Sequence, residues 1–196
     1  MVTVVGSAKT RAVRVLWALE EMGVPYTHIP EQPRSPAVVA LHPLGKIPIL
    51  KDGDTVIADS VAIITYLADR NGALTAPSGS LARASQDAMT QFAVTELEAP
   101  LWTRAKHSFV LPENARVPAI KPAVDAEVER AFSQLASLME GRPFAAGDSF
   151  TIADILIGHC ASWATRVGIP LPDGATAEYL ERIQSRPALT RARAAP

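Results

Sequence analysis

Three short stretches of this chain carry side chains suited to chemistry, and each stands where a loop meets a helix or a strand. Ser7 and Thr10 place two hydroxyls ahead of an amphipathic run at residues 11–22. Asp59-Ser60 opens a second helical run at 61–70, where unpaired N–H groups and the positive end of the helix dipole favour an anion. The Ser60 hydroxyl and N–H suit a carboxylate and Asp59 suits an ammonium group, while the same pair also serves as a plain helix cap. Between them lie Lys46, a cation for a carboxylate, and Ile47-Pro48 at the head of an apolar strand. A trans-proline is poorly placed there, whereas a cis Ile47–Pro48 bond leaves the peptide groups of Ile47 to pair with an extended ligand.

The remaining reactive side chains argue mainly by exclusion. Cys160 is the single cysteine of 196 residues, so no internal disulfide forms, in keeping with a cytoplasmic location. It sits among Ile157, Ala161 and Trp163 on an apolar helix and reads as a buried, inert thiol. A thiol–disulfide reductase, which needs a protein thiolate, is therefore not expected. The four histidines are scattered without metal-ligand spacing, and no nucleophile-elbow motif is present. The net charge of −1 comes without a basic stripe, so a nucleic-acid partner is not expected. No apolar run approaches the roughly 18 to 20 residues that span a bilayer, and Met1 leads straight into a strand rather than a targeting segment, which again points to the cytoplasm.

The elements that must position these residues follow from periodicity. Residues 2–5 are β-rich. The run at 11–22 is a helix with Ala12, Val15, Leu16 and Leu19 on one face and Arg11, Arg14 and Glu21 opposite, stopped by Gly23 and Pro25. A strand is expected at 26–29, a proline-rich loop with one helical turn at 30–46, and a hairpin of 47–50 with 55–58 about Asp52-Gly53-Asp54. After a linker at 75–80 only helices remain: 81–98, broken near Pro100; 123–140; 152–167, where Asp154 backs the Thr151 cap; and 175–185, ending before Pro187. The pattern is α/β followed by all-α.

Four segments of this pattern resemble the cytosolic glutathione S-transferase family. Thr10-Arg11-Ala12-Val13-Arg14-Val15-Leu16-Trp17-Ala18-Leu19-Glu20-Glu21-Met22-Gly23-Val24-Pro25-Tyr26 is similar to its first loop, first helix and second strand. His42-Pro43-Leu44-Gly45-Lys46-Ile47-Pro48 resembles its asparagine-proline-x-glycine-lysine-valine-proline segment, and Asp59-Ser60 its glutamate-serine pair. Ser149-Phe150-Thr151-Ile152-Ala153-Asp154-Ile155 resembles the helix start of its second domain, and Tyr179-Leu180-Glu181-Arg182 with Ser185-Arg186-Pro187-Ala188 its usual ending. The resemblance implies a thioredoxin-like domain (βαβαββα) over 1–74, a linker at 75–80, and an all-helical domain over 81–196 that contributes the hydrophobic substrate site.

It further implies glutathione as co-substrate, held by Lys46, Ile47, Pro48, Asp59 and Ser60, and a cytoplasmic homodimer engaged in detoxification. A glutathione thiol has a pKa near about 8.5, so a donor must stabilise its thiolate. The family places tyrosine, serine or cysteine there; alignment puts Thr10 in that position, with Ser7 as the alternative and helix capping as the other use of Thr10. The expected reaction joins the thiolate to a hydrophobic electrophile. Isomerisation or dehalogenation with glutathione, and a non-catalytic glutathione-binding module, are the other readings the resemblance allows.

Overall fold

The structure, a computed structural model, describes residues 1–196 and falls into two compact units. The first comprises Met1–Pro77 together with Ser185–Pro196, and the second Ser78–Gln184.

The first unit runs β1 (Val2–Val5), α1 (Ala12–Met22), β2 (Tyr26–Ile29), α2 (Pro36–Leu41), β3 (Ile49–Asp52), β4 (Thr55–Ala58) and α3 (Ser60–Asn71). The sheet order is β2-β1-β3-β4, with β1 parallel to β2 and antiparallel to β3, and β3 antiparallel to β4. This is the thioredoxin-like βαβαββα order that the sequence implied. Both faces of the two central strands are covered, as their apolar runs require. Val5 and Ile49 pack with Val38 of α2, and by the two-residue alternation Val4 and Leu50, both fully buried, point to the opposite face. There α1 and α3 pack on each other and on the sheet. The third strand begins at Ile49 rather than at 47, because Pro48 has no N–H to give to a ladder.

The second unit is wholly helical: α4 (Leu81–Phe92), α5 (Ala99–Ala105), α6 (Lys121–Met139), α7 (Ile152–Arg166) and α8 (Ala175–Gln184). The expected break at Pro100 takes the form of a widened π turn over Ala93–Glu98. A proline cannot donate to the carbonyl four residues back, and the turn before it loosens. At the head of α7 the Asp154 carboxylate is buried and accepts from the N–H groups of Ala145 and Thr151, each at 2.8 Å, from the Thr151 hydroxyl at 3.1 Å and from the Tyr179 hydroxyl at 2.8 Å. Burial pushes this carboxyl above its ordinary value, and the four donors work against that rise.

Besides α5, which continues past Pro100, one further element is missing from the sequence reading. Pro187 does not end the helical region but opens α9 (Pro187–Ala194), occupying a first-turn position whose N–H has no partner to lose. This helix belongs to the first unit rather than with 81–184, because two arginines fasten it to α1. Arg186 grips Glu21 through two bonds of 2.6 and 2.7 Å. Arg191 binds the Glu20 carboxylate at 2.6 Å and its backbone carbonyl at 3.1 Å. Glu20 also accepts from the Tyr26 hydroxyl at 2.9 Å. The Arg191 bond holds the Glu20 carboxyl below its ordinary value against the opposing effect of burial, while burial and the Glu20 carboxylate push Tyr26 up to about 12.

A depressed carboxyl contributes stability above its unfolded pKa and loses it as pH falls through the folded value. Arg191→Ala is therefore expected to lower the denaturant midpoint at neutral pH, and the gap from the parent protein should close as pH drops below about 4. Chemical unfolding followed at several pH values checks this; a gap that stays constant with pH would contradict it.

Candidate functional site

Strand register decides which loops meet. Val5 of β1 pairs with Ile49 of β3, which in turn pairs with Ala58 of β4. The chain leaves β1 through Gly6 and Ser7, enters β3 through Ile47 and Pro48, and leaves β4 through Asp59 and Ser60. These three exits therefore emerge side by side at one end of the sheet. Thr10 stands in the first of these loops, and Lys46, exposed, immediately precedes the second.

The closeness of the first two loops is enforced at Gly6. Its φ is 137°, and a Cβ placed there would lie 2.9 Å from the Ile47 Cβ and 3.2 Å from that of Ala12. The loop is tied further by Gly6 N–H to Ile29 O at 2.9 Å and Ser7 N–H to Glu31 O at 3.0 Å. The His28 Nε2 stands 2.7 Å from Gly6 O and, facing a carbonyl, donates the proton. The Ile47–Pro48 bond is cis, as the sequence reading expected.

The two hydroxyls of this loop differ in how they are engaged. Thr10 donates to Ser7 O at 2.7 Å and accepts from the Ala12 N–H at 3.2 Å, so it caps the entry to α1. Ser7 is nearly buried, and its Oγ accepts from the Lys9 N–H at 3.3 Å, which leaves the hydroxyl proton available as a donor.

At the third loop Asp59 adopts φ 74°, ψ 129°, unusual for any residue but glycine, and its carboxylate accepts from the Val61 N–H at 2.8 Å. Ser60 is buried, and its Oγ accepts from the Arg14 guanidinium at 3.1 Å. This corrects the sequence reading of Arg14 as a residue of the solvent face: it is 0% exposed. The available signal was its place four residues after Thr10, on the same face of the helix. Arg34 was also missed. It has φ 65°, donates its N–H to Gly45 O at 2.8 Å, and lays its stem where a Cβ on Gly45 would sit, which sets a second cation beside the Lys46 loop. A surface groove of about 690 Å³ exists elsewhere in this unit, between the far end of α1, β2 and the last turn of α9 with the two residues after it, and none of the candidate residues lines it.

Residues 10–70 match the family model described as glutathione S-transferase, N-terminal domain, and residues 99–187 that of the glutathione S-transferase C-terminal domain. The chain belongs to the glutathione S-transferase family. Glutathione S-transferase GstA of Escherichia coli O157:H7 is 30% identical over 156 residues, 76% of this chain and 72% of that one. Among solved structures, Gtt2 of Saccharomyces cerevisiae superposes with a TM-score of 0.86 at 22% identity, covering 97% of this chain and 99% of its own, and shares the fold. A theta-class glutathione S-transferase of Xanthomonas axonopodis pv. citri, solved with glutathione bound, gives 0.82 at 26% identity and covers 100% and 98%.

The contact between Gly6 and Ile47 supplies a direct test of how the site is assembled. Gly6→Ala must both strain a positive φ and displace a side chain, so it is expected to cost about 1–3 kcal/mol in unfolding free energy. Denaturant titration checks this, and a neutral result would mean that the two loops do not press together.

Proposed function

We propose that this glutathione S-transferase family member binds glutathione at the end of the sheet where the three loops meet, and joins its thiolate to an electrophilic carbon of a hydrophobic molecule. The observation that carries the reading is the register row Val5, Ile49 and Ala58. That row gives an extended peptide ligand the free edge of Ile47 ahead of the β3 ladder, an anion-favouring helix start at Ser60, and a hydroxyl-bearing turn at 7–10. In this reading Ser60 takes the γ-glutamyl carboxylate and Asp59 faces the ammonium group. The peptide of Ile47, shaped by Pro48, pairs with the cysteinyl backbone, and Lys46 meets a carboxylate, with Arg34 close by. The helical unit supplies the hydrophobic surface for the electrophile. The protein works as a cytoplasmic homodimer in detoxification.

The thiol is held as thiolate by a hydroxyl of the first turn. Thr10 serves if its proton turns from Ser7 O to the sulfur. The bond Thr10 already makes favours Ser7 as the second candidate, and it also favours a second reading, a glutathione-binding module without turnover. A panel of electrophiles incubated with glutathione, with product masses measured, separates these: conjugates support the transferase, glutathione recovered unconsumed or oxidised supports isomerase or dehalogenase chemistry, and no reaction supports the module.

Losing a hydrogen bond to a charged sulfur costs about 1.5–3 kcal/mol, or roughly ten- to 150-fold in rate. Thr10→Ala is expected to fall by that factor, with a raised thiol pKa, little change in glutathione affinity and about 1 kcal/mol less stability from the lost cap. Thr10→Ser should stay active. If Thr10→Ala keeps the parent rate and thiol pKa, Ser7→Ala should show the loss instead; neither variant responding would remove both hydroxyls as donors to the thiolate.

The homodimer carries its own measurement. Sedimentation at micromolar concentration should show about twice the chain mass of 20.9 kDa, and a species of the single-chain mass alone would contradict it.

A further inference from the structure

Arg14 is the one cation of α1 with no exposed surface. Fully buried arginine is rare, because removing a guanidinium from water costs several kcal/mol unless its donors are used. Here one nitrogen donates to the Ser60 hydroxyl oxygen at 3.1 Å, across from α1 to the first residue of α3. A guanidinium has only donors, so Ser60 must accept, and the Ser60 proton is then left to point elsewhere.

The other donors at this helix start are partly spent. The Val61 N–H is taken by the Asp59 carboxylate at 2.8 Å, and the Ile63 N–H by the Asp59 carbonyl at 3.0 Å. The direction of the Ser60 hydroxyl therefore matters more than it would at an open helix end.

We propose that Arg14 is a positioning residue for the γ-glutamyl carboxylate of glutathione, fixing the Ser60 hydroxyl as a donor toward the ligand. The inference rests on the assignment of Ser60 made under Proposed function. It adds a role for a residue that does not touch the ligand. Thr10 stands in the turn ahead of α1 and Arg14 in its first turn, so the head of one helix serves both the thiol end and the γ-glutamyl end of the tripeptide.

The test compares two probes, glutathione and γ-aminobutyryl-cysteinyl-glycine, which lacks only the carboxylate in question. Affinities are measured by calorimetric titration on the full chain. The parent protein should prefer glutathione. Arg14→Gln should lose at least about tenfold of that preference while its affinity for the decarboxylated peptide changes little, a selectivity that a general loss of structure would not produce. Arg14→Met fills the same buried space without charge and serves if the Gln variant does not fold. Arg14→Lys should restore part of the preference. Ser60→Ala should lose it, and the double variant Arg14→Gln/Ser60→Ala should lose no more than either alone.

Preference retained in Arg14→Gln or Arg14→Met but lost in Ser60→Ala would overturn the role of Arg14 and leave that of Ser60 standing. Equal affinity of the parent protein for the two probes would remove the Ser60 assignment and this proposal together.

Discussion

Everything at the candidate site hangs on one row of backbone pairing, Val5 to Ile49 to Ala58. Each of these residues is the last or first of its strand, so the row fixes where three separate loops leave the sheet. A slip of one residue would turn Val5 and Ile49 away from Val38 and bring polar neighbours into the core. The apolar packing that selects the register therefore also sets the site. Gly6 then closes the gap between two of the loops to a distance that no side chain tolerates.

Helix α1 carries this arrangement in its other direction. Its face toward the sheet is apolar, with Ala12, Val15, Leu16 and Leu19 all buried, and α3 packs beside it. Its far end is gripped by α9 through Glu20 and Glu21, the latter also accepting from the Trp17 indole N–H at 2.9 Å. Two arginine–carboxylate pairs with several bonds each hold a short helix in a way that a single exposed pair would not. The result is a helix fixed at both ends, with the hydroxyl turn at its head.

The two units handle buried charge differently. Asp154 surrounds its carboxylate with four donors from its own unit, and three of them come from residues close by in sequence or on the neighbouring loop. That is a closed structural arrangement, and it fixes the start of the most apolar helix in the chain. Arg14 instead spends a donor on a hydroxyl that retains a proton to give away. A carboxylate enclosed by donors holds a fold together; a hydroxyl left with an unspent proton fits a place where a ligand completes the bonding.

Local chemistry was legible in the residues themselves. The helix stop at Gly23, the Asp-Gly hairpin, the Asp154 backing of Thr151 and the cis Ile47–Pro48 bond all depend on neighbours within a few positions, and all stand in the structure. The family, read from Thr10 through Glu21, His42 through Pro48 and the later helix start, was legible for the same reason. What the sequence could not decide depends on partners distant along the chain. Arg14 looked like a solvent-face residue because periodicity assigns a face by hydrophobicity, and its acceptor Ser60 lies 46 positions later. Pro187 looked like a stop because its local effect is the same before a loop as in the first turn of a new helix. Glu20 and Glu21, more than 160 residues earlier, are what hold that new helix in place. The commitment of the Thr10 hydroxyl to Ser7 O is the intermediate case: three residues separate the pair, but the loop adopts that turn only because Ile29, Glu31 and Ile47 hold its far side.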